Sequence, residues 1–230
     1  MLARLKRILI GVAVGLALLA GAVWLLIHTL GERETLYQGK TLYYWVGQMN
    51  SPAAALSNQT RLVLDTEIIP QLARTMFHDT NDSPLRLALI EELNSLPGVQ
   101  IYFPRAGSRR AWAANSLGTI GPGARQTIPD LIKALKGNDP AVRPAAARAL
   151  GQLQGQPDTV IPLLIACLDD PQEGVPEAAA EALGLFGPRS KAAAPKLLQL
   201  LKIPDKDLQA AIRLALKRID PEVALQAAPK

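Results

Sequence analysis

The side chains best suited to chemistry in this sequence lie in one short stretch, "HDTND" at residues 78–82. Its His78, Asp79 and Asp82 offer the nitrogen and oxygen ligands that proteins use for metal ions. The stretch has neither the ligand spacing of a calcium loop nor the glycine that such a loop needs. It also falls where a turn between two helices is expected. We therefore interpret it as a solvated turn, with Asp82 near a helix start, and expect no metal site.

The other candidate catalytic groups are isolated as well. Cys167, the single cysteine of the chain, is predicted to lie within a helix without a nearby base, as a packing residue rather than a nucleophile. Ser108 lacks the GxSxG elbow of serine hydrolases. The glycines of "GTIGPG", residues 118–123, look like a phosphate loop in isolation, but no strand precedes them. These patterns predict no catalytic residue, no bound cofactor and no enzymatic activity.

The elements that must position these side chains recur along the chain with a period of 33. The stretches "AANSLGTIG", "AARALGQLQ" and "AAEALGLFG" begin at 113, 146 and 179, and "IPDLIKAL", "IPLLIACL" and "APKLLQLL" begin at 128, 161 and 194. Repetition at this length is typical of a solenoid. We therefore predict an all-α fold, an α-solenoid of stacked antiparallel helix pairs, over residues 109–219.

Each unit contains the signals of two helices and a turn. In the first helix, an alanine, a leucine and a third apolar residue recur at i, i+4 and i+7 and form one buried stripe. Paired alanines let the next helix come close. A Gly/Pro turn ends the first helix, since glycine tolerates a left-handed cap, and a proline opens the second, where its missing N–H is harmless. The turns are predicted at Gly121, Gly155 and Gly187, and the second helices begin with Pro129, Pro162 and Pro195.

The stretch "NDPAVRPAAARALGQL" followed by "VIPLLIACL" resembles HEAT repeats, in the short HEAT-like form first associated with phycobilin lyases. The resemblance covers residues 109–219 and implies the solenoid fold. HEAT-like repeats often carry an Asp and an Arg that stack into a charge ladder. Asp139 and Arg143 match this pattern, but the next two units have proline and glutamine at the arginine position, so we expect an incomplete ladder. Arg148 and Glu181, at equivalent positions of adjacent units, would replace part of it weakly.

An apolar run of 20 residues at 8–27 precedes the repeats. At a rise of about 1.5 Å per residue it matches a bilayer core of roughly 30 Å. Arg4, Lys6 and Arg7 come before it, so residues 1–7 are predicted to be cytoplasmic and the body extracytoplasmic, periplasmic in a Gram-negative bacterium. We interpret residues 8–27 as a transmembrane anchor; the alternative is a signal peptide cleaved at "AGA", residues 20–22.

The charge of the chain argues against nucleic acid. The net charge is +5, and the three basic residues before the apolar run leave 5 − 3 = +2 for residues 31–230. A body this close to neutral lacks the basic footprint of a nucleic-acid-binding protein.

Residues 28–50 join the anchor to the repeats. Leu42, Trp45, Val46 and Met49 have helical spacing, and Thr41 is a plausible N-cap. We favour a helix that caps the solenoid core over an aromatic belt at the membrane surface. The "GK-x-L-x-x-W" start also resembles a group of uncharacterised bacterial membrane-anchored HEAT-repeat proteins. The remaining predicted segments are a degenerate repeat unit at 51–96, an irregular loop at 97–108 and a C-terminal tail at 220–230.

Two surfaces are candidates for binding a partner. The HEAT-like resemblance implies that the second helices line a concave face, and their non-core positions are apolar in the middle unit and polar in its neighbours, the anatomy of a binding groove. These positions are Asp130, Lys133, Leu163, Ala166, Lys196 and Gln199. In the loop at 97–108, Tyr102 and Arg105 belong to residue types enriched at interaction hot spots. We favour a loop that packs over the edge of the solenoid, and binding through Tyr102 and the arginines is compatible with that role.

These observations predict a membrane-anchored HEAT-repeat scaffold that binds a protein partner non-covalently on the extracytoplasmic side. They name no partner and point to no small-molecule substrate. Two alternatives remain open. One is a passive structural spacer. The other is a lyase-like enzyme, which the repeat family implies and which would act on cytosolic proteins.

Overall fold

The computed structural model describes residues 40–41, 44–46, 62–80, 82, 84–95 and 104–226. The chain divides into two compact units, Met1–Thr35 with Asp82–Phe103, and Leu36–Asn81 with Pro104–Lys230. The first unit contributes one described helix, α2 (Pro84–Asn94). All other helices below belong to the second unit. The two helices of the predicted degenerate repeat thus fall into different units.

The second unit is a succession of helices joined by short turns. A π-helical turn, Leu64–Ile68, leads into α1. The helices are α1 (Ile69–His78), α3 (Ala106–Ile120), α4 (Ile128–Leu135), α5 (Val142–Leu153), α6 (Pro157–Cys167), α7 (Val175–Phe186), α8 (Ala194–Leu200), α9 (Lys206–Ile219) and α10 (Pro221–Gln226). Two 3-10 segments, Gly121–Thr127 and Gly187–Ala193, connect α3 to α4 and α7 to α8. The predicted stack of helix pairs is therefore confirmed.

The first helices of the repeats form the centre of the stack. Helices α3, α5, α7 and α9 pack side by side in chain order, and α1 packs against α3. The predicted stripe is buried at each step: Leu117, Leu150 and Leu183 are all inaccessible to solvent. The paired alanines beside the stripe are buried as well. A core made largely of alanine requires short distances between helix axes, because small side chains fill little of the space between them.

Three glycines produce the closest helix contacts. A Cβ on Gly151 would lie 2.5 Å from Ala182 Cα, and a Cβ on Gly184 would lie 2.9 Å from Ala215 Cα. Gly118 approaches Ala149 in the same way. Both the glycines and the alanines recur at steps of 33, so each unit presents a glycine to an alanine of the next. We call this row of contacts the glycine–alanine seam.

The second helices α4, α6 and α8 pack against the next first helices, α5, α7 and α9 respectively. The leucines at equivalent positions of these helices, Leu131, Leu164 and Leu197, are all buried with 0% exposure. Pro129 and Pro195 lie at the second position of α4 and α8, as predicted.

The middle second helix begins earlier than predicted. Helix α6 starts at Pro157, so Pro162 lies inside the helix and does not open it. Residues 157–160 form regular α-helix, whereas the equivalent residues in the neighbouring repeats, 124–127 and 190–193, form 3-10 helix. Pro162 cannot donate to the carbonyl four residues earlier, so α6 lacks that hydrogen bond.

The turns after the first helices also differ in the middle unit. Gly121 and Gly187 end α3 and α7 with positive φ angles of 70° and 61°, as predicted for glycine caps. In the middle unit the left-handed cap is Gln154, with φ 48°, and not the predicted Gly155. Gln154 occupies the position equivalent to both glycines, one repeat period from each. Its side-chain amide donates to the carbonyl of Leu185 at 2.7 Å, which offsets part of the cost of a left-handed residue with a Cβ.

The described part of residues 28–50 is consistent with the predicted cap. Thr41 Oγ1 accepts a hydrogen bond from the Tyr44 backbone N–H at 3.2 Å, as an N-cap does. Trp45 and Val46 are buried and belong to the apolar core of the second unit. Leu42 and Met49 lie outside the described residues.

The structure differs from two of the predicted boundaries. Helix α3 begins at Ala106, so residues 106–108 of the predicted loop are helical. The predicted tail contains α10, whose Val223 and Ala224 pack against the core. None of the described helices is long and apolar enough to cross a bilayer. The predicted anchor at 8–27 and the N-terminus at 1–7 lie outside the described residues.

Candidate partner-binding surface

The six predicted binding positions lie on the three second helices, two on each helix. Lys133, Ala166 and Gln199 are exposed, whereas Asp130, Leu163 and Lys196 are half-buried. We call these six residues the second-helix row. Leu163 also packs against the core. That the second helices line a concave face stays a prediction.

One lysine of the second-helix row is engaged within the chain. Lys196 Nζ lies 2.5 Å from Asp169 Oδ1, in the turn that follows α6. The pair therefore links α8 to the preceding unit. Because the Asp169 side chain is 62% exposed, the link contributes little to stability.

A groove opens beside Lys133, between the C-terminal half of α1 and one side of α4. Its volume is about 820 Å³, within the roughly 300–1,000 Å³ typical of ligand sites. Met76 and Phe77 of α1 and Pro129, Ile132 and Lys133 of α4 are among the residues that line it. We call it the α1–α4 groove. Lys133 Nζ stands 5.0 Å from the centre of the Phe77 ring, a cation–π distance that connects the two walls.

Two arginines near the start of α3, Arg109 and Arg110, form ion pairs inside the fold. Arg109 Nε and Nη2 donate to the two carboxylate oxygens of Asp79 at 2.6 and 2.7 Å. Both side chains are less than a fifth exposed. Asp79 is thus the bidentate partner of an arginine, and the interpretation of "HDTND" as a solvated turn is wrong for this residue. The physical reason is that two charge-assisted hydrogen bonds from one guanidinium group bind a carboxylate more strongly than water does when both groups are largely shielded from solvent.

The charge ladder begins one unit earlier than predicted. Arg110, which lies one repeat period before Arg143, donates from Nε to Asp139 Oδ2 at 2.7 Å and also to the Asp79 carbonyl. Asp139 in turn accepts from the backbone N–H groups of Ala141 and Val142 and so caps the start of α5. The step of 33 between the two arginines was the signal that could have revealed this.

The ladder continues from Arg143. Its guanidinium donates to Asp170, to Gln172 Oε1 at 3.0 Å and to the Leu135 carbonyl at 3.2 Å. In the last unit, Gln209 donates to the Leu201 and Ile203 carbonyls instead. Glutamine thus keeps the carbonyl contacts of the ladder without its charge.

The predicted surface pair is present in the structure. Arg148 Nε lies 2.9 Å from Glu181 Oε2, and the two side chains are 40% and 44% exposed. Exposed pairs of this kind contribute at most about 1 kcal/mol.

The Tyr102 surface is described only at its end. Arg105 is exposed and lies at the N-cap of α3, with an extended backbone. Tyr102 lies outside the described residues. Arg105 is therefore accessible to a partner at the point where the loop joins the repeats.

Cys167 lies at the end of α6 and is half-buried. Burial raises the pKa of the Cys167 thiol, and the positive charge of Arg143 opposes this shift only in part. A raised pKa keeps the thiol protonated at neutral pH, and the thiolate is the nucleophile.

We expect Cys167 to react with an iodoacetamide reagent at pH 7.5 more slowly in the folded full chain than in the same chain unfolded by urea. Mass spectrometry of alkylated protein over time measures both rates, and free cysteine in each buffer serves as the control. Faster alkylation of the folded chain would mean that the thiol is activated, and a packing role would be wrong.

No group of three or more His, Cys, Asp or Glu side chains among the described residues could hold a metal ion.

Comparisons with known proteins agree with the repeat architecture. The family model for HEAT repeats matches residues 107–184 and 161–228. Together the matches span 107–228, which is more than half of the 230 residues. A search of curated proteins finds no match.

Among solved structures, the chain is similar to the complex of CpcE and CpcF of phycocyanin lyase from Nostoc sp. PCC7120. The similarity has a TM-score of 0.51 at 23% identity and covers 84% of this chain and 70% of the other. At this identity it shows a shared fold. With the repeat matches and the observed stack of helix pairs, it leads to one conclusion: the chain belongs to the HEAT-repeat family.

Proposed function

We propose that the protein is a membrane-anchored scaffold that binds a protein partner non-covalently on the extracytoplasmic side. The observation that carries this proposal is the second-helix row, in which exposed Ala166 and half-buried Leu163 lie between polar positions of the neighbouring repeats. An apolar centre with a polar rim is the usual composition of a protein interface. The solved complex of two lyase subunits supports it as a case in which this fold occurs in a protein–protein assembly.

The proposed activity is binding without a catalytic step. The sheltered charges of the repeats are joined to each other, as in Asp79 with Arg109 and Arg143 with Asp170. Such pairs hold the turns between units in place. The anchor at residues 8–27 would keep the scaffold at the membrane and restrict its search for the partner to that surface.

The test is a comparison of two identical substitutions, Ala166→Asp in the second-helix row and Ala210→Asp on α9. Both alanines are exposed on helices, so both variants should fold as the wild type does. Intact cells are treated with an amine crosslinker that does not cross membranes, and the proteins that co-purify with the full chain are quantified. We expect Ala166→Asp to lower recovery of the partner about tenfold, the equivalent of about 1.4 kcal/mol, because a carboxylate would be desolvated at the interface.

The two parts of the proposal fail separately. Equal recovery with both variants would show that the second-helix row does not bind, and absence of any partner would leave a passive spacer. Crosslinking that requires a membrane-permeant reagent would place the body in the cytoplasm, where the lyase-like alternative is expected.

A further inference from the structure

The α1–α4 groove, which meets the second-helix row at Lys133, has an apolar floor and a charged edge. The floor consists of Met76, which is 1% exposed, and the half-buried Phe77 and Ile132. Phe77 and Ile132 pack against the core and still line the groove. An aromatic ring and a flexible methionine beside an open volume are residue types enriched where proteins bind one another.

The charges of the described lining residues are mainly positive. They comprise Arg110, Lys133 and Lys136 against one acid, Asp139. Arg110 is within 2.7 Å of Asp139, so this pair is neutral as a whole. The two lysines then give the edge a net positive charge, and both side chains are exposed.

The lysines are positioned to act together. Lys133 lies in the last turn of α4 and Lys136 is the residue directly after the helix, and both line the groove. Lys133 lies over the Phe77 ring, which places its ammonium group at the boundary between floor and edge. A carboxylate that reaches this boundary would meet a cation just beside an apolar contact.

We propose that the α1–α4 groove binds an acidic segment of the partner protein, with an apolar side chain of that segment against Phe77 and Ile132 and its carboxylates at Lys133 and Lys136. This inference rests on the proposed function and names the chemistry of the partner. Complementary charge speeds encounter and fixes the register of the bound segment. Desolvation of the apolar side chain supplies the affinity.

A protein segment fits the groove better than nucleic acid does. Nucleic-acid sites combine a continuous basic track with exposed aromatic rings for stacking. Among the described lining residues the aromatic ring is that of Phe77, which Lys133 already covers on one side, and Asp139 interrupts the basic edge. The apolar floor would also be unused by a phosphate backbone.

The test uses the purified full chain in detergent micelles and three fluorescent peptides of equal length. The first has Asp and Glu on both sides of a central Leu-Phe pair. The second replaces Leu-Phe by Ser-Ser, and the third replaces the acids by Lys. Fluorescence anisotropy measures binding of each peptide, with a single-stranded oligonucleotide of the same charge as a further probe.

We expect saturable binding of the first peptide alone, weakened by added salt because the lysines are exposed. The double variant Lys133→Glu, Lys136→Glu should weaken binding by about tenfold or more. Lys202→Glu with Lys206→Glu makes the same change of charge at two exposed lysines outside the groove. It should change binding by less than about twofold. Circular dichroism of both double variants confirms that they fold.

Each other outcome overturns the inference. Absence of saturable binding by the first peptide, or equal binding of the Ser-Ser peptide, would show that the floor does not take an apolar side chain. Equal losses of affinity in the two double variants, or equal binding of the oligonucleotide, would show that binding depends only on the overall charges of the protein and the probe. These results leave the crosslinking comparison of Ala166→Asp with Ala210→Asp untouched, so the inference and the proposed function can fail independently.

Discussion

Replacing Gly151 by alanine is expected to lower the free energy of unfolding by about 2 kcal/mol, although alanine is the better helix former. A Cβ at this position would lie 2.5 Å from Ala182 Cα and 2.7 Å from its Cβ. One of these atoms is part of the helix backbone and the other is the first atom of the side chain, so neither can move away by a side-chain rotation. Overpacking of this kind costs about 1–3 kcal/mol or more, and the helix propensity of alanine returns at most about 1 kcal/mol. Helices α5 and α7 must move apart, and the contacts of Leu150 and Leu183 weaken with them.

The matched control for this substitution is Gly107→Ala. Gly107 also lies in a first helix, α3, but its Cβ would be 3.6 Å from Ala141 Cβ, an ordinary contact. We expect this variant to be as stable as the wild type or more so. Urea denaturation of the full chain, followed by circular dichroism, measures both changes. If Gly151→Ala matched Gly107→Ala, the close approach of α5 and α7 would not limit the packing of the units.

Replacing Arg143 by alanine is expected to lower the free energy of unfolding by about 2–3 kcal/mol. Arg143 joins three chain segments: the end of α4 through the Leu135 carbonyl, the start of α5, and the turn before α7 through Asp170 and Gln172. The Arg143 and Asp170 side chains are only 19% and 11% exposed. Removing one partner of a fully buried ion pair costs about 3–5 kcal/mol, and partial access of water to these groups lowers that figure.

The same substitution at Arg148, also on α5, is the control. Its pair with Glu181 is exposed on both sides, so Arg148→Ala should cost less than about 1 kcal/mol. Thermal unfolding of both variants beside the wild type gives the comparison. We expect Arg143→Ala to lower the Tm by about 4–12 °C, at about 2–4 °C per kcal/mol for a chain of this size. Similar melting temperatures for the two variants would mean that the ladder orients the turns without stabilising them.

The repeat spacing predicted the fold because the core of each unit depends on nearby residues. The apolar stripe of each first helix, with Leu117, Leu150 or Leu183 at its middle, is visible in the sequence of that one helix. Its recurrence every 33 residues distinguishes it from an accidental pattern. The glycine caps at Gly121 and Gly187 were predictable for the same reason, since each depends on the residues of its own turn. The turn of the middle unit was not predicted, because Gln154 carries no sequence signal for a left-handed cap. The conformational cost of that cap is partly offset by a hydrogen bond to Leu185, a residue of the next unit.

The candidate surface was predictable only in part, for a related reason. The second-helix row repeats with the helices, so Lys133 and Ala166 could be named from register. The α1–α4 groove could not be predicted in this way, because Met76 and Phe77 lie in a segment that does not follow the period of 33. The same holds for Arg109 and its bidentate partner Asp79, whose separation along the chain also departs from that period. Such residues meet only through the fold, and no local pattern marks the pair.

The glycine–alanine seam also has a kinetic meaning. Each of its contacts spans the same length of chain, since 149 − 118, 182 − 151 and 215 − 184 all equal 31. The entropy lost when a loop closes depends on its length, so adding one unit to a folded neighbour carries the same entropic barrier at every step. Folding can therefore start at any of the three interfaces and spread in either direction. The alanines and glycines that bring the first helices together thus leave the stack without an obligatory starting point for assembly.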